Sequence, residues 1–556
     1  MRSFHAALKR TQMVHLWFKA IDPSRPARLE MTSRDRILHA WEIKDTAGFH
    51  FNQFQVAESG AFEFFFDETL TAVSLLYSFE PDNVAAEGIK IHWTSDDNTL
   101  AHPAGYHFRP PFGWMNDPNG FCRIGDLYHL FYQHYPHRRR WNNMHWGHAV
   151  STDMINWSHQ PIFLQPQGAL AQTEDAKGGA YSGTVLAASG AMYAFFTDHV
   201  SDRVPEVERQ LRATSLDSLA AADIRIVIAE RPDDLDETVD FRDPFVFTGP
   251  DGRLKMLLGT QTRGCGTVLL YETADPLGGS GWASKGSLHV FDRFPRATAE
   301  CPCLVPLAVT RDRAEQRWAL IIGLKQSRDP ATRRKNLSIV AIGGFDGARF
   351  TPELEQELDY GTDAYAFQAF AAEDGPYGIG WLANWTDINR KVDCETTMTL
   401  PRKLVWDGEA LRTPPVDAVE LLRRNSLDGT ALAAGDAVDL PGGQAEITCD
   451  FVAFGTRFVI EFEHPALGLA IEGDGDNLIL HLRLPGKTET PRYVAIGARP
   501  SRIRIFLDLG SIEVYADDGR WTLTKRLPSF EPVRRLRLVV VAEALRHAAI
   551  WRLGRS

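Results

Sequence analysis

The chain has 556 residues, 44% hydrophobic and 24% charged, too long for one ordinary core and pointing to two to four domains. A formal charge of −12 leaves no basic footprint, so nucleic acid is not an expected partner; a neutral small molecule or oligosaccharide is easier to accept. Six sparse cysteines imply no disulfide framework, and without a long apolar run no signal peptide or membrane span is expected. The expectation is therefore a cytoplasmic protein with no membrane partner.

In chain order, residues 1–104 carry β-type runs such as AFEFFFDE and AVSLLYSFE and form a first β-rich unit. A packing role is favoured for it over independent sugar binding; a lid or an oligomer contact also stays open. Next comes a weak repeat of a turn followed by a short apolar strand: GDLYHLFYQ, SGAMYAFFTD, PDGRLKMLLGTQ, QRWALIIGLK and DGPYGIGWLANW. These strands begin near Leu127, Met192, Leu254, Trp318 and Tyr377, at spacings of 65, 62, 64 and 59 residues. Units of about four strands repeated five times stack in a ring, so residues 105–414 are expected to be a five-bladed β-propeller; a large sandwich with chance spacing is the alternative. From 415 to 556, short alternating strands such as RFVIEFEH, NLILHLRLPG and RIRIFLDLG give sandwich patterning. The fold class is all-β, and TSLDSLAAADI and PVDAVELLRRN are the main helix candidates.

The strand before each repeat marker carries a polar residue: Asp117, Ser182, Asp243, Glu300 and Gln368 lie 10, 10, 11, 18 and 9 residues ahead of their markers. Alone, an Asp-Pro is usually a turn, and Glu300 would pass as a surface acid. Together at equivalent repeat positions, Asp117, Asp243 and Glu300 would converge on the axis of a ring. Two carboxylates in opposite protonation states suit glycoside cleavage. Trp114 and Trp146 are expected to offer flat faces to a sugar ring, while Asn116, Gln133 and Arg242 hydrogen-bond its hydroxyls. His134, His137, His145 and His148 have strand spacings poor for chelation, so no metal and no other cofactor is expected. The acid run DDLDETVD, residues 233–240, reads as a solvated loop.

WMNDPNG, FYQ, WNNMHWGHAVS, YSG, FRDP, EC, YAFQAF, LPRKL and DLGSIEVYADDG occur in that order between residues 105 and 555. The ordered set resembles glycoside hydrolase family 32, the invertases, levanases, inulinases and related fructosyltransferases. The resemblance implies a five-bladed propeller with a β-sandwich and a retaining mechanism. It implies Asp117 as nucleophile, Glu300 as acid/base and Asp243 as the acid that binds fructose hydroxyls and stabilises the transition state. Asn116, Gln133, Trp141, Ser182 and Arg242 match positions lining a fructose subsite. Two departures stand out: Cys303 replaces a common acid of ECPD, and Arg138–Arg140 follow FYQ, as a solvated loop or as a pocket rim. The expected activity is release of terminal fructose from sucrose and short fructooligosaccharides. Fructosyl transfer or exo-action on levan or inulin uses the same acids and stays open, as does a homo-oligomer. A non-catalytic sugar-binding propeller and an inverting arabinosidase are the readings from other classes.

Overall fold

The computed structural model describes every residue except 35, 103–104, 205, 233–237, 309–315, 488–489, 541–543 and 556. The described chain is all-β, broken only by short helices at Val84–Glu87, Gly168–Gln172, Asp417–Leu422 and Gly429–Ala433. The helix expected in PVDAVELLRRN shrinks to a short 3-10 turn. The one expected in TSLDSLAAADI is absent: those residues end one strand and begin the Ala222–Ile228 strand. No helix among the described residues is long and apolar enough to cross a membrane.

The N-terminal strands make two four-stranded sheets. Arg2–Leu8 alternates exposed and buried residues because only one of its faces is covered. Met13–Ala20 is buried almost throughout, because both of its faces are covered. Val14, Leu16 and Phe18 face the companion sheet, and Trp17 packs in a cluster with Phe112 and Ile162 of the central region. Ser74 Oγ lies 2.9 Å from His137 Nδ1, and Ile162 N donates to the Tyr77 hydroxyl at 3.2 Å. The arginine triplet is ion-paired rather than a solvated loop, and of the three only Arg138 reaches across this seam. Arg138 pairs with Asp97 at 3.0 Å and Glu174 at 3.1 Å, Arg139 with Glu395 at 3.3 Å, and Arg140 with Asp393 at 3.4 Å.

Five four-stranded sheets follow. Their second strands are Leu127–Tyr135, Ala191–Val200, Leu254–Thr262, Trp318–Arg328 and Tyr377–Leu382, at the repeat markers read from the sequence. Their first strands are Trp114–Ile124, Gly178–Ala188, Phe241–Thr248, Thr298–Pro306 and Tyr365–Phe370. Each first strand touches the first strand of the next sheet, and Tyr365–Phe370 touches Trp114–Ile124. The contacts of the first strands therefore run in a cycle.

Two six-stranded sheets make up the C-terminal part, with alternation as in Phe458–Glu463 and one apolar core between them. A buried charge network joins this part to the central sheets. His107 Nδ1 contacts Asp508 at 2.8 Å and its Nε2 contacts Glu513 at 2.8 Å; Arg402 bonds Glu513 at 3.0 Å and Asp359 at 3.1 Å. LPRKL and DLGSIEVYADDG thus meet here, away from the acids of the central cavity.

Candidate active site

Every first strand of the five central sheets carries a bulge in which two residues oppose one on the second strand. The pairs are Asn116–Asp117, Tyr181–Ser182, Asp243–Pro244, Cys301–Pro302 and Ala366–Phe367. A bulge bends its strand and re-aims side chains, so five bulges at one level turn consecutive residues toward a common centre. Asp243, Cys301 and Ala366 adopt positive φ of 64°, 50° and 50°, strain that a β-carbon makes costly and that collects at functional sites. Pro244 and Pro302 fit because a bulge position has no ladder bond to donate to.

The register corrects the idea of equivalent acids. Asp117 stands at the second bulge position, with Ser182. Asp243 stands at the first, with Asn116 and Cys301. Glu300 stands just before the bulge, with Arg242 and Tyr365. Three neighbouring offsets of one bulge reach the same space. Gln368 follows its bulge and donates to Gly183 O at 2.9 Å, away from the cavity.

That space is a cavity of about 260 Å³ lined by Asn116, Asp117, Gln133, Trp141, Tyr181, Ser182, His199, Val239, Asp240, Arg242, Asp243, Glu300, Lys325, Trp385 and Arg390. All three acids and five of the expected binding residues are there. Trp114 and Trp146 are not: both are fully buried behind it. Trp114 Nε1 donates to Asn116 Oδ1 at 2.8 Å, and Trp146 Nε1 donates to Tyr181 O at 3.1 Å, so each positions a lining residue from behind. The aromatic faces in the cavity belong to Trp141, Tyr181 and Trp385. A larger cavity, about 440 Å³, lies where the N-terminal strands meet the central sheets, and its Lys19 and Arg138 are already spent on Glu174.

Ser182 Oγ donates to Asp117 Oδ2 at 2.9 Å, and Asp117 Oδ1 has no hydrogen-bond partner among the described residues. Burial, reinforced by the Glu300 charge and opposed by bonds from Asn116 and Ser182, pushes the Asp117 carboxyl up to about 6. Asp243 Oδ2 accepts from Cys301 N at 2.8 Å and lies 3.5 Å from the Cys301 thiol. Burial raises Asp243 to about 7; the Glu300 and Asp117 charges add to this and Arg242 opposes it. Burial and the Asp243 charge also keep the Cys301 thiol protonated. Glu300 accepts from the Tyr365 hydroxyl at 2.8 Å, with Arg242 at 3.4 Å and Lys325 at 3.6 Å from its other oxygen. Arg242 is itself gripped by Glu208 and Asp240, whose carboxylates it holds below the usual range against the opposing effect of burial.

Sequence reasoning missed Tyr181, His199, Asp240, Lys325, Trp385 and Arg390. Tyr181 was available in YSG and Trp385 in GWLANW. Asp240 closes the acid run read as a solvated loop; residues 233–237 of that run lie outside the described residues, but Asp240 is ion-paired to Arg242 and Lys325. The histidines hold structure: His134 Nδ1 bonds Trp114 O at 2.7 Å, His145 Nδ1 bonds Asn143 O at 3.0 Å, and His148 bonds His129 at 3.1 Å. The Cys303 thiol points to Phe367 O at 3.7 Å, away from Glu300.

A cavity of this size, with two carboxyls held in different surroundings, can protonate one atom of a glycosidic link while another carboxylate faces its carbon. The pattern of the glycosyl hydrolases family 32 N-terminal domain matches residues 107–415. Sucrose-6-phosphate hydrolase of Escherichia coli is 30% identical over 494 residues, 84% of this chain and 97% of that protein. The structure of glycoside hydrolase family 32 from Bifidobacterium adolescentis matches with a TM-score of 0.87 at 20% identity over 100% of both chains. A Bombyx mori β-fructofuranosidase in complex with sucrose matches with a TM-score of 0.65 at 25% identity, over 81% of this chain and 93% of that one. Fold, site and relatives define a glycoside hydrolase. The chain belongs to glycoside hydrolase family 32.

Proposed function

We propose that this enzyme is a retaining β-fructosidase that releases terminal fructose from sucrose and short fructooligosaccharides. Asp117 attacks the anomeric carbon of the fructosyl unit as the glycosidic C–O bond breaks, and Glu300 gives its proton to the leaving oxygen. A water molecule then gives a proton to Glu300 and attacks the same carbon, freeing Asp117. Asp243 binds fructose hydroxyls and stabilises the positive charge of the transition state. Asn116, Gln133, Trp141, Ser182 and Arg242 bind the sugar.

The observation that carries this reading is Asp117. One oxygen is anchored by Ser182 and the other is unengaged, in the same cavity as a glutamate held by Tyr365, Arg242 and Lys325. The contact cycle of first strands supports reading residues 105–414 as a five-bladed propeller, between an N-terminal unit of 1–104 and a sandwich of 415–556. The core shared by Trp17, Phe112 and Ile162 supports a packing role for the N-terminal unit.

The test gives sucrose, short inulin oligomers, levan and an arabinoside in parallel to the wild type and to Asp117→Asn. The expected outcome is fructose from sucrose with wild type and a loss of at least about 10⁴-fold in kcat with the variant. No release from any fructoside would overturn the reading, and release from the arabinoside would reassign the chemistry.

A further inference from the structure

The cations of the cavity are not alike. Arg242 is spent on Glu208, Asp240 and Glu300, and Lys325 is shared between Asp240 at 3.4 Å and Glu300 at 3.6 Å. Arg390 is paired with no carboxylate among the described residues. It is held by aromatic faces instead, its guanidinium carbon 4.8 Å from the Trp141 ring centre and 4.2 Å from that of Trp385. Trp385 stacks in turn on the buried Trp114, with ring centres 6.2 Å apart and planes at 25°. A carboxylate partner would cancel the guanidinium charge and use its N–H donors. An indole face fixes the group while leaving both available.

The surrounding loop keeps its acids away from Arg390. Asp387 is taken by Lys525 at 2.6 Å, Asp393 by Arg140 at 3.4 Å, and Glu395 by Arg109 at 3.1 Å and Arg139 at 3.3 Å. Arg390 is exposed, whereas Asp243 and Ser182 are buried. A terminal sugar that reaches the acids puts its leaving group toward the exposed end, beside Arg390.

We infer that Arg390 is a specificity-determining residue that reads a phosphate ester on the leaving sugar of the substrate. This rests on the fructosidase reading and narrows it to an anionic leaving group. A guanidinium fixed by two indoles presents a fork of donors matched to phosphate oxygens, where a neutral hydroxyl would use only part of it.

The test measures kcat/KM on sucrose and on sucrose 6-phosphate for wild type, Arg390→Gln and Arg390→Lys. Wild type is expected to favour the phosphorylated substrate. Arg390→Gln should cut that preference by about 10- to 100-fold, mostly through the KM for the phosphorylated substrate, with kcat/KM on sucrose falling much less. Arg390→Lys should restore part of the preference, because it returns the charge without the fork. If the preference is unchanged in Arg390→Gln, or both substrates fall together, Arg390 does not read phosphate and this inference fails while the fructosidase reading stands. If wild type cleaves neither substrate, the fructosidase reading fails and takes the inference with it.

Discussion

Two clusters of buried acids sit in one chain and are treated in opposite ways. At the seam between central and C-terminal sheets, Asp359 and Glu513 are fully buried and Asp508 nearly so, and the carboxylates meet His107, Arg402 or backbone N–H groups. Burial alone would raise Glu513, but the hydrogen bond from His107 and the Arg402 charge bring it down to about 2. His107 goes to about 9, because bonds to Asp508 and Glu513 outweigh its burial. In the cavity, burial raises Asp117 and Asp243, to about 6 and 7; the Glu300 charge adds to both shifts, and at Asp243 the Arg242 charge offsets only part of the rise. The first cluster is satisfied and binds the sheets together. The second keeps one oxygen, Asp117 Oδ1, without a partner among the described residues, and that oxygen is available to a substrate.

The largest contrast should come from one glutamate of each cluster. On the proposed mechanism Glu300→Gln removes the proton donor and should lower kcat on sucrose by about 10²–10⁴-fold, with the midpoint of thermal unfolding unmoved or higher. Glu513→Gln should do the reverse. It leaves His107 and Arg402 buried with too little negative charge, a loss of about 3–5 kcal/mol. That is read as a lower unfolding midpoint, with kcat per folded molecule near wild type. A Glu513→Gln protein as stable as wild type would remove the distinction.

The pH dependence is the next smaller effect. On the proposed mechanism the Asp117 carboxylate attacks in its charged form, so kcat/KM should fall as pH drops through about 6. At the seam, the raised His107 contributes stability that is full below its ordinary value near 6.5 and is lost as pH rises through about 9. The depressed Glu513 contributes stability present above the ordinary carboxylate range and lost as pH falls through about 2. Activity measured against pH and unfolding midpoints measured against pH should therefore break at different places.

The two clusters were not equally legible in the sequence. The strand repeat was, because second strands lie between neighbours and read as apolar runs such as LKMLLG and ALIIGL. The three acids were too, because each sits in or beside a bulge whose Asp-Pro, Glu-Cys or Asn-Asp signature is local. What lay on other elements was not: Lys325 comes from a second strand, and Arg390 and Trp385 come from a loop after one, so only the packing of the sheets brings them in. Trp114 and Trp146 were misplaced for a related reason. Trp114 lies two residues before Asn116 and bonds it from below, and Trp146 stands on a strand buried on both faces, so each is near the lining in sequence without opening onto the cavity. The seam drew no reading beyond family segments, because LPRKL and DLGSIEVY are about a hundred residues apart and their charges pair only in the fold.

The smallest expected effect tests the physical claim behind the contrast. Asp243 has a folded value near 7 against an ordinary value of 3.8, so the folded chain prefers it protonated. Between those values the folded state holds more proton than the unfolded one, and stability falls as pH rises. Above pH 7 the charge is present and its burial is only partly offset by Arg242 and the Cys301 amide. Asp243→Asn removes the charge and keeps an oxygen to accept from Cys301. It should raise stability by about 1–2 kcal/mol at pH 8 and by almost nothing at pH 4, while lowering activity. Thermal unfolding of both proteins at the two pH values checks it. A variant less stable than wild type at pH 8 would mean that the cavity compensates this carboxylate as the seam compensates Glu513.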